Sequence, residues 1–202
     1  MRRQSRVKVK VRGVTIGGSA PLVCLPLLAG TGAELAARAE ELVALGPDLL
    51  EWRIDAMADV DAGQVASLLR TLRQAIGDLP LLFTCRIAAE GGRGGMASGE
   101  RLALLLAALD SGEIDLVDVE LCNGPEFMAP VAAKARGAGC ALILSHHDFQ
   151  ATPSADSILA TLCAAEAAGA DIAKVAVMPQ SSGDVLSLLS ACDRARQGAV
   201  GI

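Results

Sequence analysis

A chain of 202 residues with 52% hydrophobic content and a mean hydropathy of +0.43 can bury a sizeable core as one domain. Its net charge of −5 is dispersed and its aromatics reach only 2%, with no Tyr, which excludes a basic, base-stacking face for nucleic acid. No apolar run is of transmembrane length, and Pro26 interrupts the one stretch, Leu22 to Leu28, that imitates a signal-peptide core, so a cytoplasmic protein is expected.

The Arg2-Arg3-Gln4-Ser5-Arg6 start is too short to be a binding patch. Val7, Val9 and Val11 then alternate with charged residues, and Arg12-Gly13 offers a turn before Val14 to Ile16. That pattern predicts a small β-hairpin covering one end of a larger sheet. From Leu22 onward one rhythm repeats. Apolar strands are predicted at 22–28, 49–55, 81–87, 116–121, 141–149 and 172–178. Ala- and Leu-rich segments such as 31–45, 62–76 and 154–168 carry helical spacing between them. Gly46, Gly77, Gly139 and Gly169 act as helix stops, and Pro153-Ser154 opens a helix. Strands alternating with helices predict a parallel α/β architecture.

Alternation within the strands chooses between an open sheet and a barrel. Glu51, Arg53 and Asp55 share one face of the second strand, while Leu50, Trp52 and Ile54 share the other. Thr84 pairs with Arg86 in this way, Asp118 with Glu120, Ser145 with His147, and Lys174 with Ala176. Polar groups late in successive strands, all on one face, are what inward positions at the C-terminal rim of a TIM-type (β/α)8 barrel produce. No Gly-x-Gly-x-x-Gly follows the first strand, which weighs against a nucleotide-binding open sheet. A complete barrel takes about 250 residues. The sequence therefore reads as a single barrel domain over 1–202, truncated after six units, with a stub at Ala199 to Ile202 and strands seven and eight absent. Such a chain by itself is expected to be poorly stable and essentially inactive, because two apolar sheet edges stand open.

Lys174 is one of four lysines against fourteen arginines, and it sits in the apolar strand Asp171-Ile-Ala-Lys-Val-Ala-Val-Met-Pro179. A desolvated lysine can lose its proton near neutral pH and attack a carbonyl, which arginine cannot do. A strand lysine snorkelling to the sheet end or paired with a carboxylate fits the same pattern. His147 reads as a proton shuttle or as a satisfied strand-end histidine. Glu51 and Arg53 read as substrate ligands or as an internal salt bridge. The Gly91-Gly92-Arg93-Gly94-Gly95 run lacks the Lys-Ser/Thr tail of a phosphate loop and reads as a flexible connection. Six cysteines at 24, 85, 122, 140, 163 and 192 form no Cys-x-x-Cys pair and no cluster with the two histidines, so a reduced protein without a metal site is expected.

Taken together, Glu51-Trp52-Arg53, Phe83-Thr-Cys-Arg86, Glu90-Gly-Gly92, Asp118-Val-Glu120, Ser145-His-His147-Asp-Phe149 and Lys174-Val-Ala-Val-Met-Pro179 resemble the type I 3-dehydroquinate dehydratases. The match runs in order through essentially the whole chain. The resemblance implies a shikimate-pathway lyase, often dimeric, that acts on 3-dehydroquinate without metal or organic cofactor. It implies a Schiff base on Lys174, proton transfer by His147, and Glu90 as the partner of that histidine. It also implies substrate contacts from Glu51, Arg53 and Arg86. Trp52 joins them through the Glu-Trp-Arg motif, although alternation turns it toward the helices. His146 stands where many members carry an aromatic and is expected to face away from the pocket. The family's seventh and eighth strands supply an Arg, a Ser, a Gln and a lid that are not in this sequence. A Schiff-base aldolase on the same barrel, and an inactive fragment that docks to a partner, are the alternatives.

Overall fold

The computed structural model describes residues 4, 5 and 7–199. The hairpin forms as β1 (Val9–Val11) and β2 (Val14–Ile16). Its two turn residues, Arg12 and Gly13, have φ of 40° and 84°, as tight hairpin turns of the primed type demand. Six parallel strands follow: β3 (Cys24–Leu27), β4 (Leu49–Arg53), β5 (Leu81–Thr84), β6 (Leu116–Glu120), β7 (Ala141–Asp148) and β8 (Ile172–Val177). Helices α1 (Gly32–Val43), α2 (Ala62–Ile76), α3 (Ser98–Ser111), α4 (Pro125–Ala138), α5 (Ala155–Ala167) and α6 (Ser182–Arg194) alternate with them. The strands neighbour one another strictly in chain order. The sheet curls into six consecutive units of a (β/α)8-type barrel.

Several predicted strands run on too far. Arg86 and Ile87 lie beyond β5, and Ile54 to Ala56 form a 3₁₀ turn after β4 rather than the end of a strand. Residues 200–202 of the expected stub lie outside the described residues, as do Arg2, Arg3 and Arg6, and Ala199 ends a π-helical turn, Ala195–Ala199.

The two sheet faces are chemically distinct. Toward the helices, Leu27, Leu50, Trp52, Leu81, Phe83, Val117, Val119, Leu142 and Leu144 pack against residues such as Leu35, Leu69, Leu104 and Val131. In α2 the buried positions are Val65, Leu69, Leu72 and Ile76, the three- and four-residue spacing of one helix face, and an Asp61–Gln64 capping box starts the helix. On the concave face the lowest layer is apolar. Leu49, Leu82, Leu116 and Ile143 meet Val11 of the hairpin, with Ile172 and Ile16 beside them. Arg12 clamps this floor by donating to Asp115 at 2.7 Å, and Arg73 reaches the same carboxylate at 2.9 Å.

Trp52 is a correction to the expected substrate ligands. Its side chain is fully buried on the helix side, edge-on to Phe83 with ring centroids 5.4 Å apart, because β-strand alternation sends it away from Glu51 and Arg53. Trp52→Ala is expected to cost about 3–5 kcal/mol in urea unfolding and to leave the substrate KM of the folded protein unchanged. A raised KM at unchanged stability would return Trp52 to the substrate site.

Candidate active site

Above the apolar floor, strand pairing sets polar side chains side by side. Arg53 pairs with Thr84, Thr84 with Asp118, and Ser145 with Lys174. The two-residue period does this: stepping up from Leu49, Leu82, Leu116, Ile143 and Ile172 gives Glu51, Thr84, Asp118, Ser145 and Lys174 on the same face.

Lys174 donates from Nζ to Asp118 Oδ2 at 3.1 Å and stands 3.5 Å from Glu51 Oε1. Its side chain is 33% exposed while that of Asp118 is 0%, so the amine is reachable from the mouth and its counter-charge is not. Glu51 Oε1 also accepts the Thr84 hydroxyl at 2.8 Å. Burial works to raise the Asp118 pKa, but the charges of Lys174 and Arg86, with hydrogen bonds from Arg86 and Ser145, hold it below the ordinary aspartate range.

Arg86 is itself buried. Nη1 lies 2.9 Å from Asp118 Oδ1 and 3.0 Å from Glu120 Oε1, and it donates to Ser145 Oγ at 2.8 Å. Ser145 Oγ in turn donates a hydrogen bond to Asp118 Oδ1 at 2.6 Å. Burial opposes the guanidinium's charge, and the surrounding carboxylates more than offset that. Arg101 closes the cluster from α3, donating to the other Glu120 oxygen at 2.8 Å.

His147 lies one inward step above Ser145 on β7. Its Nδ1 sits 2.8 Å from Glu90 Oε2, and the same oxygen accepts the His147 backbone N–H at 2.9 Å. With Nδ1 engaged by a carboxylate, Nε2 is the nitrogen left to meet a reactant. Phe149 stacks on the ring at 8° between planes and 6.3 Å between centroids. Glu90 Oε1 accepts the Cys122 thiol proton at 3.2 Å. Burial would raise the Glu90 pKa, but hydrogen bonds from His147 and Cys122, and then the nearby imidazoles, bring it below the ordinary value of 4.5. His146 does not point as far away as alternation suggests. Its Nδ1 is 3.7 Å from Glu90 Oε1, because Glu90 sits against β7 beyond the last β6–β7 pair, Glu120 with Ser145, where both rings reach it.

Glu90 is delivered by the 3₁₀ turn Ala88–Glu90, and the two glycines after it let the chain return close to its own start. A Cβ on Gly92 would lie 2.1 Å from the Arg86 carbonyl oxygen, and one on Gly91 would lie 2.6 Å from the Phe149 ring. Arg53 does not pair with Glu51 in an internal salt bridge. The 3₁₀ turn after β4 brings Asp55 back instead, and Arg53 Nε and Nη2 each donate to that carboxylate at 2.8 Å.

The structure thus brings Lys174, Glu51, Arg86, His147 and Glu90 to one rim, adds Arg53 beside them, and leaves Trp52 behind the sheet. Asp118, the direct partner of Lys174, was not among the residues proposed from sequence, although its alternation with Glu120 carried the signal. Cys122 left no such signal.

An inward lysine–carboxylate pair and a histidine–carboxylate pair at the C-terminal ends of parallel strands define an α/β-barrel enzyme site. A family model for type I 3-dehydroquinase matches residues 23–200, and the chain belongs to that family. It is 43% identical to a 3-dehydroquinate dehydratase from Aromatoleum aromaticum, covering 91% of this chain and 72% of that protein. The crystal structure of 3-dehydroquinate dehydratase from Geobacillus kaustophilus superposes with a TM-score of 0.92 at 41% identity, over 96% of this chain and 76% of that one. A type I enzyme from Clostridium difficile, solved with covalently modified comenic acid, gives 0.90 at 37% identity, over 93% and 75%.

Asp118, Glu90 and Asp55 all have depressed pKa values in the folded state. Each therefore contributes stability that is complete above its unfolded pKa, near 3.8 for the aspartates and 4.5 for Glu90, and is lost as pH falls through the lower folded value. Thermal midpoints measured between pH 7 and about pH 3 are expected to fall steeply at the acid end, and less steeply in Asp118→Asn. An equal slope in both proteins would contradict the assignment.

Proposed function

We propose that this site dehydrates 3-dehydroquinate to 3-dehydroshikimate through an imine on Lys174. Family membership supports the reaction, and the observation that carries the mechanism is the one-third exposed Lys174 amine beside buried Asp118. The free amine adds to the substrate ketone and the carbinolamine loses water, leaving an iminium. A base removes the proton on the neighbouring carbon, and the C–H electron pair moves toward nitrogen as an enamine. Those electrons return to expel the β-hydroxyl, which leaves as water after taking a proton. Hydrolysis then frees Lys174. The iminium is the electron sink, so the step calls on no metal or organic cofactor.

In this reading His147 carries the protons, which its 2.8 Å contact through Nδ1 with Glu90 supports by leaving Nε2 to face the reactant. Asp118 offsets positive charge on the Lys174 nitrogen in both ammonium and iminium forms. Glu51 and Arg53 offer an acceptor and a donor to substrate hydroxyls or carboxylate. Arg86 differs from that assignment in degree: with Nη1 shared among Asp118, Glu120 and Ser145, it acts on substrate mainly by holding the carboxylates around the amine. Six scattered cysteines with no Cys-x-x-Cys pair accord with a reducing, cytosolic setting. A homodimer rests on the family resemblance alone.

In a protein that carries the complete barrel, borohydride reduction in the presence of 3-dehydroquinate, followed by peptide mass mapping, is expected to label Lys174. Labelling of a different lysine, or none in an active preparation, would overturn the imine. In a protein that carries the complete barrel, His147→Ala is expected to lower kcat by ~10²–10⁴-fold, with His146→Ala close to the parent protein. The reverse ranking would assign the proton transfers to His146.

A further inference from the structure

Asp55 is absent from the reaction sketched above, yet it is 3% exposed and every hydrogen bond it accepts runs to the rim of the site. Oδ1 takes Arg53 Nε at 2.8 Å and the backbone N–H of Arg86 at 3.1 Å. Oδ2 takes Arg53 Nη2 at 2.8 Å and the backbone N–H of Arg93 at 3.0 Å. Both backbone donors lie past the end of β5, where the sheet ladder has stopped and a buried N–H must find another acceptor. One carboxylate therefore joins a side chain from the end of β4, the turn that leads to Glu90, and the middle of the glycine loop. Arg53 Nη2 adds a bond to the Gly91 carbonyl at 3.2 Å, so the guanidinium and the loop are held by each other as well as by Asp55. Asp55 and Gly91 engage the Nε–Nη2 edge of Arg53, which leaves Nη1 as the nitrogen they do not use.

We propose that Asp55 is a positioning residue for substrate binding. It locks Arg53 and the Gly91–Gly95 loop into one unit, so that the substrate meets a guanidinium already oriented. This rests on the reading of the rim as the 3-dehydroquinate site. Glu90 is secured separately, because the Ile87 N–H is held by Glu120 Oε1 at 3.0 Å. Loss of Asp55 should therefore loosen binding far more than proton transfer.

In Asp55→Asn one carboxylate oxygen becomes an amide that cannot accept from Arg53. In a protein that carries the complete barrel, KM for 3-dehydroquinate is expected to rise at least about tenfold, the scale of one lost charge-assisted bond, with kcat changed little. Hydrogen exchange at the Arg86 and Arg93 amides is expected to speed up. Borohydride labelling of Lys174 at saturating substrate is expected to persist. An unchanged KM with the Arg93 amide deprotected would reduce Asp55 to a purely structural part, and a fall in kcat at constant KM would also overturn the proposal. Should Asp55→Asn not fold, Arg53→Lys carries the test, since an ammonium cannot span both Asp55 oxygens. KM is then expected to rise while Arg93 stays protected, and an unchanged KM overturns the proposal. If the imine reading itself is wrong, Lys174 labelling fails in the parent protein too, whereas Asp55→Asn still raises KM.

Discussion

Burying the Arg86 guanidinium at 2% exposure is the constraint on which the rim depends. An ion taken out of water costs several kcal/mol unless partners surround it. Here the partners come from neighbouring strands: Asp118 and Glu120 from β6, Ser145 from β7, and Glu51 of β4 at 3.8 Å. Asp118 and Glu120 are themselves buried, and Arg86 bridges them as a shared cation beside the Lys174 that pairs with Asp118 and the Arg101 that pairs with Glu120. The cluster thus resists any slip of one strand against the next, because a slip of one residue would turn its members to the opposite face. The same cluster fixes where Asp118 stands, and through Asp118 where the Lys174 amine stands.

The polar layer sits on an apolar floor. Val11 of the hairpin closes Leu49, Leu82, Leu116 and Ile143 from below, and the Arg12–Asp115–Arg73 bridge ties that closure to α2. Water excluded from below lowers the local dielectric beneath the charges, which strengthens every pair in the layer above. The hairpin is far from the chemistry in the chain, yet it helps set the electrostatics under the amine.

At the upper rim strands lose a neighbour or run out, and carboxylates take over the work of the missing strand partners. Glu90 accepts the His147 N–H, Glu120 the Ile87 N–H, and Asp55 those of Arg86 and Arg93. This gives rigidity to segments that would otherwise be loops, and it does so with groups that carry charge into the site. The expected flexible glycine connection is therefore anchored at Gly92 and Arg93, and the missing side chain of Gly92 is what lets it pass the Arg86 carbonyl.

By itself the sequence determined the β/α beat, the hairpin, and which residues share the inward face, because strand and helix periodicities are local properties of side-chain order. Period put Lys174 and His147 on that face, whereas Glu90, in a 3₁₀ turn beyond β5, was named by the family motif alone. Trp52 was named by motif and assigned outward by period, and the period was the better guide. What only the tertiary structure decided was partnership. Arg53 turns to Asp55 rather than Glu51, Asp118 faces Lys174 across 56 positions of chain, and Cys122 reaches Glu90. Those contacts depend on how far each strand runs before it turns and on how tightly the sheet curls, and both are set by packing of the whole layer rather than by any one segment.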